Sequence, residues 1–459
     1  MMWLAGFEGR LFLLYITGSS LRRRRMGLLE VLTGMAAVSA VAFDSWDGFN
    51  GVARVTNAAH EVLFQKQYGF LNIPYKDPMP ADAIFPVASN TKLYVAVALY
   101  QLQEAGKVDL NASIADYLNA RDFESFGMKG TSKYCPKAPG SSKCQVVRFV
   151  DLLAMSSGIP NAPFRDYFLP YAGSIGLTVK LFINQDLLFV PGTEYYYSNS
   201  AFVLAGYFVE RLSGKSLREY LQKHIISVVG QSSTEYDPYD YQLSMAGDRR
   251  KRVYEYYQYR DPKTHEIYAT GECRDEFDLG TGNGCGGVLS TAADEQLFYY
   301  TLFNFSKDAM GKPLLQDPRS LIDLVRPRMP SNPEQKGGFW YAQGVASLCK
   351  STNIDRHGCD VIPDIIGYEG GLMCVFTANL LDLREHPAVM TSVYSSTVVF
   401  DVKEARVKKM QDSKTGDFLK ATERWPRQME VTRMAWKLHD QVLNKSKERK
   451  GKVRGIIIP

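Results

Sequence analysis

Ser89-Asn90-Thr91-Lys92-Leu93-Tyr94-Val95-Ala96-Val97-Ala98-Leu99-Tyr100-Gln101-Leu102 is the stretch that decides the fold. It follows Phe85-Pro86-Val87-Ala88, and from Asn90 to Ala105 the residues Leu93, Val95, Ala96, Val97, Leu99, Tyr100 and Leu102 cover most of a helical surface. A helix apolar nearly all round belongs in the middle of a domain, and Gly106 supplies its stop. Ser89 and Lys92 are three residues apart, which places a hydroxyl and an amine on one face at the helix head. A serine hydroxyl is a weak nucleophile at neutral pH and needs an adjacent base. An amine can be that base where its surroundings favour the neutral form. The helix N-terminus adds positive potential, and its first backbone N–H groups can face a developing oxyanion. Alone, S-x-x-K is a common tetrapeptide and equally describes an ordinary serine and lysine.

Outward from this helix, Gly51 to Thr56 and Glu61 to Asn72 read as two strands of a half-buried hairpin, with Val62, Phe64, Tyr68 and Phe70 supplying the alternation. Val147 to Met155 reads as a short helix, Ala201 to Leu212 as a second strongly apolar one, and Ser216 to Ile226 as amphipathic. A further helix is expected at Thr291 to Asn304. Gly338 to Ser347, Gly371 to Asn379 and Val389 to Val402 read as strands, and Gln428 to Leu443 as a closing amphipathic helix. Tyr236 to Tyr268, with eight tyrosines among charges, reads as a surface excursion. Strands at both ends with helices between them predict an α/β (α+β) sandwich. Its sheet is mostly antiparallel, built from both ends of the chain, flanked by helices and adjoined by an all-helical region.

Two further segments join the Ser89–Lys92 pair. Tyr197-Ser198-Asn199 lies just before the second apolar helix. There Tyr197 can pass protons between Ser89, Lys92 and a leaving group, and the Asn199 amide can hold the acyl side of a substrate. Gly367-Tyr368-Glu369-Gly370-Gly371 enters a strand, where Gly370 and Gly371 let a substrate lie along the backbone and the Gly371 N–H can complete an oxyanion hole with that of Ser89. Taken alone, each is also readable as a tyrosine-rich turn or a plain glycine-rich strand entry.

Together the three resemble the S-x-x-K, Y-x-N and K/H-x-G motifs of the serine β-lactamase-like family. That family takes in class C β-lactamases, D-alanyl-D-alanine carboxypeptidases, serine esterases and eukaryotic β-lactamase-like proteins. Phe85 to Ser89, Leu152 to Pro160, Pro191-Gly192-Thr193, Gly206 to Gly214 and Gly286 to Asp294 resemble the family's flanking segments in the same order, over roughly residues 50 to 400. The resemblance implies a β-lactamase/penicillin-binding-protein-like fold and an acyl-enzyme hydrolase with Ser89, Lys92 and Tyr197 catalytic. Asn199, Tyr368, Gly370 and Gly371 would contact substrate. One departure stands out: Tyr368 occupies the place where the family usually has Lys or His. Tyrosine keeps a hydrogen-bond donor but not the charge that favours a free carboxylate. An ester or amide with a neutral acyl part is therefore expected over a β-lactam or peptide C-terminus. The alternative is a non-catalytic binding or scaffolding protein of the same fold.

The chain has 459 residues, 45% of them hydrophobic, and a net charge of +5 with the basic excess near its two ends. Mixed charges between those ends argue against a nucleic-acid partner. No H-x-x-x-H pattern, Walker lysine or G-x-S-x-G elbow occurs, so no metal, organic cofactor or α/β-hydrolase site is expected. The expected partner is a small-molecule or peptide-like acyl substrate. Of seven cysteines, six fall into close pairs: Cys135 with Cys144, Cys273 with Cys285, and Cys349 with Cys359. These suit three local disulfides of an oxidising compartment and leave Cys374 over. Arg22 to Arg25 followed by the apolar run Met26 to Ala42, ending Ala40-Val41-Ala42, reads as a signal peptide over residues 1–42; left uncleaved, it would be a membrane anchor. Asn111, Asn304 and Asn444 each open an N-x-S glycosylation sequon. The expected organisation is a hydrolase domain over 43–445 and a basic tail over 446–459, in a secreted or lumenal protein.

Overall fold

The computed structural model describes residues 49–162, 175–236, 251–272, 284–304, 313–330, 340–348, 363–372, 374–401 and 425–454. The expected signal segment, Cys273, Cys349 and Cys359 lie outside these residues.

Among the described residues the main sheet has eight strands. They are β1 (Gly51–Asn57), β2 (Val62–Tyr68), β3 (Met329–Pro330), β4 (Trp340–Tyr341), β5 (Ala346–Leu348), β6 (Ile365–Leu372), β7 (Val375–Asp382) and β8 (Val389–Ser395). Their order is β3-β4-β5-β6-β7-β8-β1-β2, and every neighbouring pair is antiparallel. The N-terminal hairpin thus completes a sheet made otherwise from the last third of the chain, as the sequence predicts. β7 and β8 are buried along their whole length, the polar Thr377, Asn379, Asp382, Thr391, Ser392 and Ser395 included, so they show no solvent-facing alternation.

Four helices position the rest: α1 (Thr91–Glu104), α2 (Asn199–Ser213), α3 (Ala292–Leu302) and α4 (Trp425–Arg454). In α1, 11 of 14 residues are buried, so it is the central helix its composition demands. α2 packs along it, starting from Ser198, whose side chain caps the Ala201 N–H, and ending at Gly214 in the left-handed conformation. α4 covers the far face of β7 and β8 with Ala435, Leu438 and Val442. There His439 joins Asp382 and Thr391 through hydrogen bonds of 3.0 Å each. This helix continues through Arg454, so much of the stretch read as a basic tail is helical.

Two other expectations change. The run Val389 to Val402 breaks at Ser396: Thr397–Asp401 leaves the main sheet and pairs in parallel with Tyr256–Arg260, which pairs in turn with Ile267–Glu272. The tyrosine-rich excursion therefore contains a small sheet. Within it, Tyr236, Tyr256 and the carboxylate-bearing Glu255 are buried.

Behind α1, Tyr94 stacks on Phe298 at 4.0 Å between ring centroids and donates to Glu295 at 2.5 Å. Glu295 is fully buried. Burial holds its carboxyl protonated, pushing the pKa up to about 7 against the hydrogen bond from Tyr94. Unfolded, the group ionises near 4.5. Between these values only the folded state keeps the proton, so stability falls as pH rises through the interval and is level above it. The wild-type protein is expected to lose on the order of 3 kcal/mol from this group between about pH 4.5 and 7.5. Glu295→Gln should abolish that slope. Urea unfolding at several pH values checks it, and parallel curves for the two proteins would rule it out.

Candidate active site

Ser89 sits in the 3-10 turn Ala88–Asn90 that leads into α1. Ala88 adopts a left-handed φ of +47°, a costly conformation for a residue with a Cβ, and the turn aims Ser89 outward while Lys92 beneath it is wholly buried. Asn90 holds this turn to the sheet. Its amide donates to the Val87 carbonyl (3.1 Å) and to Thr377 Oγ1 (2.9 Å), and its oxygen accepts from Asn379 (3.1 Å).

The sequence-predicted trio converges here. Lys92 Nζ donates to Ser89 Oγ at 2.9 Å, and the Tyr197 hydroxyl donates to the same oxygen at 2.7 Å. Lys92 Nζ also lies 5.0 Å from the centroid of the Tyr197 ring and donates to the Cys285 carbonyl at 2.9 Å. The glycine-rich approach to Gly286 and Gly287 therefore supplies a backbone acceptor for the lysine. Tyr368, on β6, donates to the Tyr197 oxygen at 3.3 Å and contacts the Tyr341 hydroxyl at 2.7 Å. Burial, then the neighbouring phenols Tyr197, Tyr341 and Tyr195, push the Tyr368 hydroxyl well above the usual phenol range, so position 368 is neutral at physiological pH.

Gly370 lies buried on the face of β6 turned to this turn, and Gly371 is exposed. Asn199 opens α2, half-buried; its backbone N–H donates to Asn161 Oδ1 at 2.6 Å, and its carboxamide makes no hydrogen bond among the described residues. That leaves the carboxamide available to a substrate.

Four contributors escaped notice in the sequence. Asn161, one residue beyond the Leu152-to-Pro160 stretch, donates to the Tyr197 carbonyl at 2.9 Å and accepts the Asn199 N–H. It holds Tyr197 and Asn199 in place, and its adjacency to a family-like segment was the signal that could have found it. Asn90 occupies an unspecified position of S-x-x-K, so the motif assigns it no role. Tyr341 comes from a two-residue strand and carries no local signal. Cys285 was assigned to a disulfide with Cys273, and the structure corrects this: Cys285 is a thiol. Burial raises its pKa, against the charge of Lys92. Cys135–Cys144 forms as expected. Cys374, expected to be left over, is disulfide-bonded.

Comparison with known proteins bears on the family and the fold. The beta-lactamase family model matches residues 40–393. An N-acetylmuramyl-L-alanine amidase of Bacillus subtilis is 24% identical over 285 residues, 56% of this chain and 60% of that protein. The match thus spans less than two thirds of this curated relative. A penicillin-binding protein from Bacillus halodurans superposes with a TM-score of 0.55 at 20% identity, over 80% of this chain and 95% of the other. The D-amino acid amidase of Ochrobactrum anthropi, solved with L-phenylalanine amide, gives 0.56 at 18% identity over 92% and 99%. At such identities the two structures establish a shared fold.

Asn161→Ala would leave the Asn199 N–H without its acceptor and release the Tyr197 carbonyl. A loss of about 1–3 kcal/mol is expected, measured as the urea unfolding midpoint. A change within the ~0.5 kcal/mol of an ordinary surface substitution would show that Asn161 does not hold this segment.

Proposed function

The chain belongs to the beta-lactamase family, and from that premise we propose that it is a serine hydrolase that opens an ester or amide through an acyl-enzyme on Ser89. One observation carries the proposal: Lys92 and Tyr197 both reach Ser89 Oγ, at 2.9 and 2.7 Å. Ser89 attacks the acyl carbon as its hydroxyl proton passes to the Lys92–Tyr197 pair. The pair accepts at one atom while the other remains a donor. The C–O bond to Ser89 forms, and the oxyanion faces the N–H groups of Ser89 and Gly371. The bond to the leaving group then breaks as Tyr197 returns the proton to its oxygen or nitrogen. Water repeats the sequence from the other side, giving its proton to the same pair and freeing Ser89. Asn199 orients the acyl part. Neutral Tyr368 supports a neutral acyl substrate, since a carboxylate there would find no charge and a hydroxyl proton already given to Tyr197.

A fluorophosphonate should label wild-type protein at one site, read by intact mass and peptide mapping. Ser89→Ala should abolish labelling, and Lys92→Met should slow it by roughly 10²–10⁴-fold. Tyr368→Lys should raise hydrolysis of carboxylate-bearing D-alanyl substrates relative to neutral p-nitrophenyl esters by roughly tenfold. Labelling that persists in Ser89→Ala excludes the assignment, and unlabelled wild-type protein favours the non-catalytic alternative.

We further propose that the protein passes through the secretory pathway. The Cys135–Cys144 bond, the bonded state of Cys374, and the exposure of Asn111, Asn304 and Asn444 support this. Expressed in eukaryotic cells, the chain should reach the medium or a secretory lumen. It should also lose mass on treatment with a peptide N-glycosidase. A full-length, unglycosylated cytosolic product would refute the proposal.

A further inference from the structure

Three phenols form a chain that ends on the nucleophile. Each phenolic oxygen carries a single proton. Tyr197 gives its proton to Ser89 Oγ, and Tyr368 gives its own to the Tyr197 oxygen. With that proton used, the 2.7 Å contact between Tyr341 and Tyr368 has one consistent direction, in which Tyr341 donates. Tyr341 is 3% exposed and Tyr368 7%, so water competes little for either hydroxyl. Burial and the surrounding phenols also keep both protonated, and hence donors, throughout the neutral range.

The two tyrosines reach each other through the sheet. Tyr341 on β4 pairs with Ala346 on β5, and Ala346 pairs with Gly367 on β6, next to Tyr368. Gly344, between β4 and β5, brings this edge against α1. A Cβ at Gly344 would lie 2.7 Å from the Lys92 carbonyl oxygen, and its φ of +73° suits glycine. The Tyr341 ring also lies 5.8 Å from that of Tyr195, two residues before Tyr197. The hydroxyl is therefore held by the same elements that hold the nucleophile and its base.

We propose that Tyr341 is a positioning residue for the Ser89 site: its hydroxyl commits the Tyr368 proton to Tyr197, so that a neutral phenol chain steadies the Tyr197 oxygen where a cation at position 368 would otherwise do so. The catalytic meaning of this rests on the hydrolase reading above, but the hydrogen-bond chain does not. When Tyr197 parts with its proton, the charge left on its oxygen is met by Tyr368, whose donation is strengthened by the bond it accepts from Tyr341. Without Tyr341, the Tyr368 hydroxyl loses the partner that fixes its direction. A tyrosine that merely fills the core would have no such effect on its neighbours' ionisation.

The test is a pH titration of the full-length chain labelled with 13Cζ-tyrosine, followed by NMR, with the signals of the site identified by their loss in Tyr197→Phe. In Tyr341→Phe and in Tyr368→Phe, the lowest phenol ionisation of the cluster should move up by about half to one pH unit. The double variant should move no further than Tyr368→Phe alone, because Tyr341 acts through Tyr368. Tyr341→3-fluorotyrosine, a stronger donor of the same shape, should move it down, which guards against a misfolded phenylalanine variant. An unchanged midpoint in both position-341 variants, or additive shifts in the double variant, overturns the proposal. Fluorophosphonate labelling of the same samples separates the two ideas. Shifts as expected in a protein that does not label would support the phenol chain and sink the hydrolase reading, whereas labelling without shifts would sink the phenol chain alone.

Discussion

Strand β6 lies against the turn that presents Ser89 because position 370 has no side chain. A Cβ there would fall 2.2 Å from the Val87 carbonyl oxygen, 2.5 Å from Thr377 Oγ1 and 3.0 Å from the Asn90 amide nitrogen. Those three atoms belong to the hydrogen-bond knot that fixes the turn: Val87 accepts from Asn90, Asn90 donates to Thr377, and Asn379 donates to Asn90. Asn379 is itself held from β8, its oxygen accepting from Ser392 at 2.7 Å and Tyr394 at 3.1 Å. The nucleophile is thus attached to the middle of the sheet through buried polar groups that are nearly all paired, which gives rigidity without flexible loops. Tyr368, two residues before Gly370 on the same face of β6, reaches the Tyr197 hydroxyl as a consequence of that contact.

Most of the architecture was legible because it rests on burial. A helix apolar on all sides has only one place to go, and α1 takes it. In the last third, Val375-Phe376, Leu380-Leu381 and Val389-Met390 mark the strands, and both faces of β7 and β8 are covered. The site was legible where one short segment carries two functional groups, as in Ser89 with Lys92 and Tyr197 with Asn199. It was illegible where function arises from strand order. Tyr341 and Tyr368 are 27 residues apart and meet only because β5 lies between their strands. No periodicity in the sequence encodes that neighbourhood, and the strand bearing Tyr341 is too short to show a pattern. The break at Ser396 escaped for a similar reason: β-branched and aromatic residues resume directly after Ser395-Ser396, and what changes is the pairing partner.

Electrostatics explains why a tyrosine is tolerated at position 368. Among the described residues, the hydrogen-bond partners of buried Lys92 are Ser89 Oγ and the Cys285 carbonyl, with no carboxylate. A cation at 368 would stand across Tyr197 from Lys92 and repel the charge that Lys92 gains on accepting the serine proton. A neutral donor at 368 avoids that repulsion while still orienting the Tyr197 oxygen. What it gives up is long-range attraction for an anionic substrate, so discrimination must come from shape and hydrogen bonding close to Ser89.

The cysteines carry the same lesson about local against global constraint. Pairing each cysteine with its nearest neighbour in sequence minimises loop closure, and for Cys135 and Cys144 that rule suffices because both lie on one turn-rich insertion. At Cys285 a stronger demand prevails. Its carbonyl must meet Lys92 Nζ, and the bends at Gly284 and Gly287, with φ of +83° and +103°, turn the backbone inward to do so. Gly284 also threads against α2, where a Cβ would fall 2.3 Å from the Phe202 carbonyl oxygen. A residue fixed that closely to the helices is no longer placed by the reach of its thiol toward Cys273. The position of Cys285 in the fold is set by the oxygen it offers the lysine, and its sulfur goes where that backbone puts it.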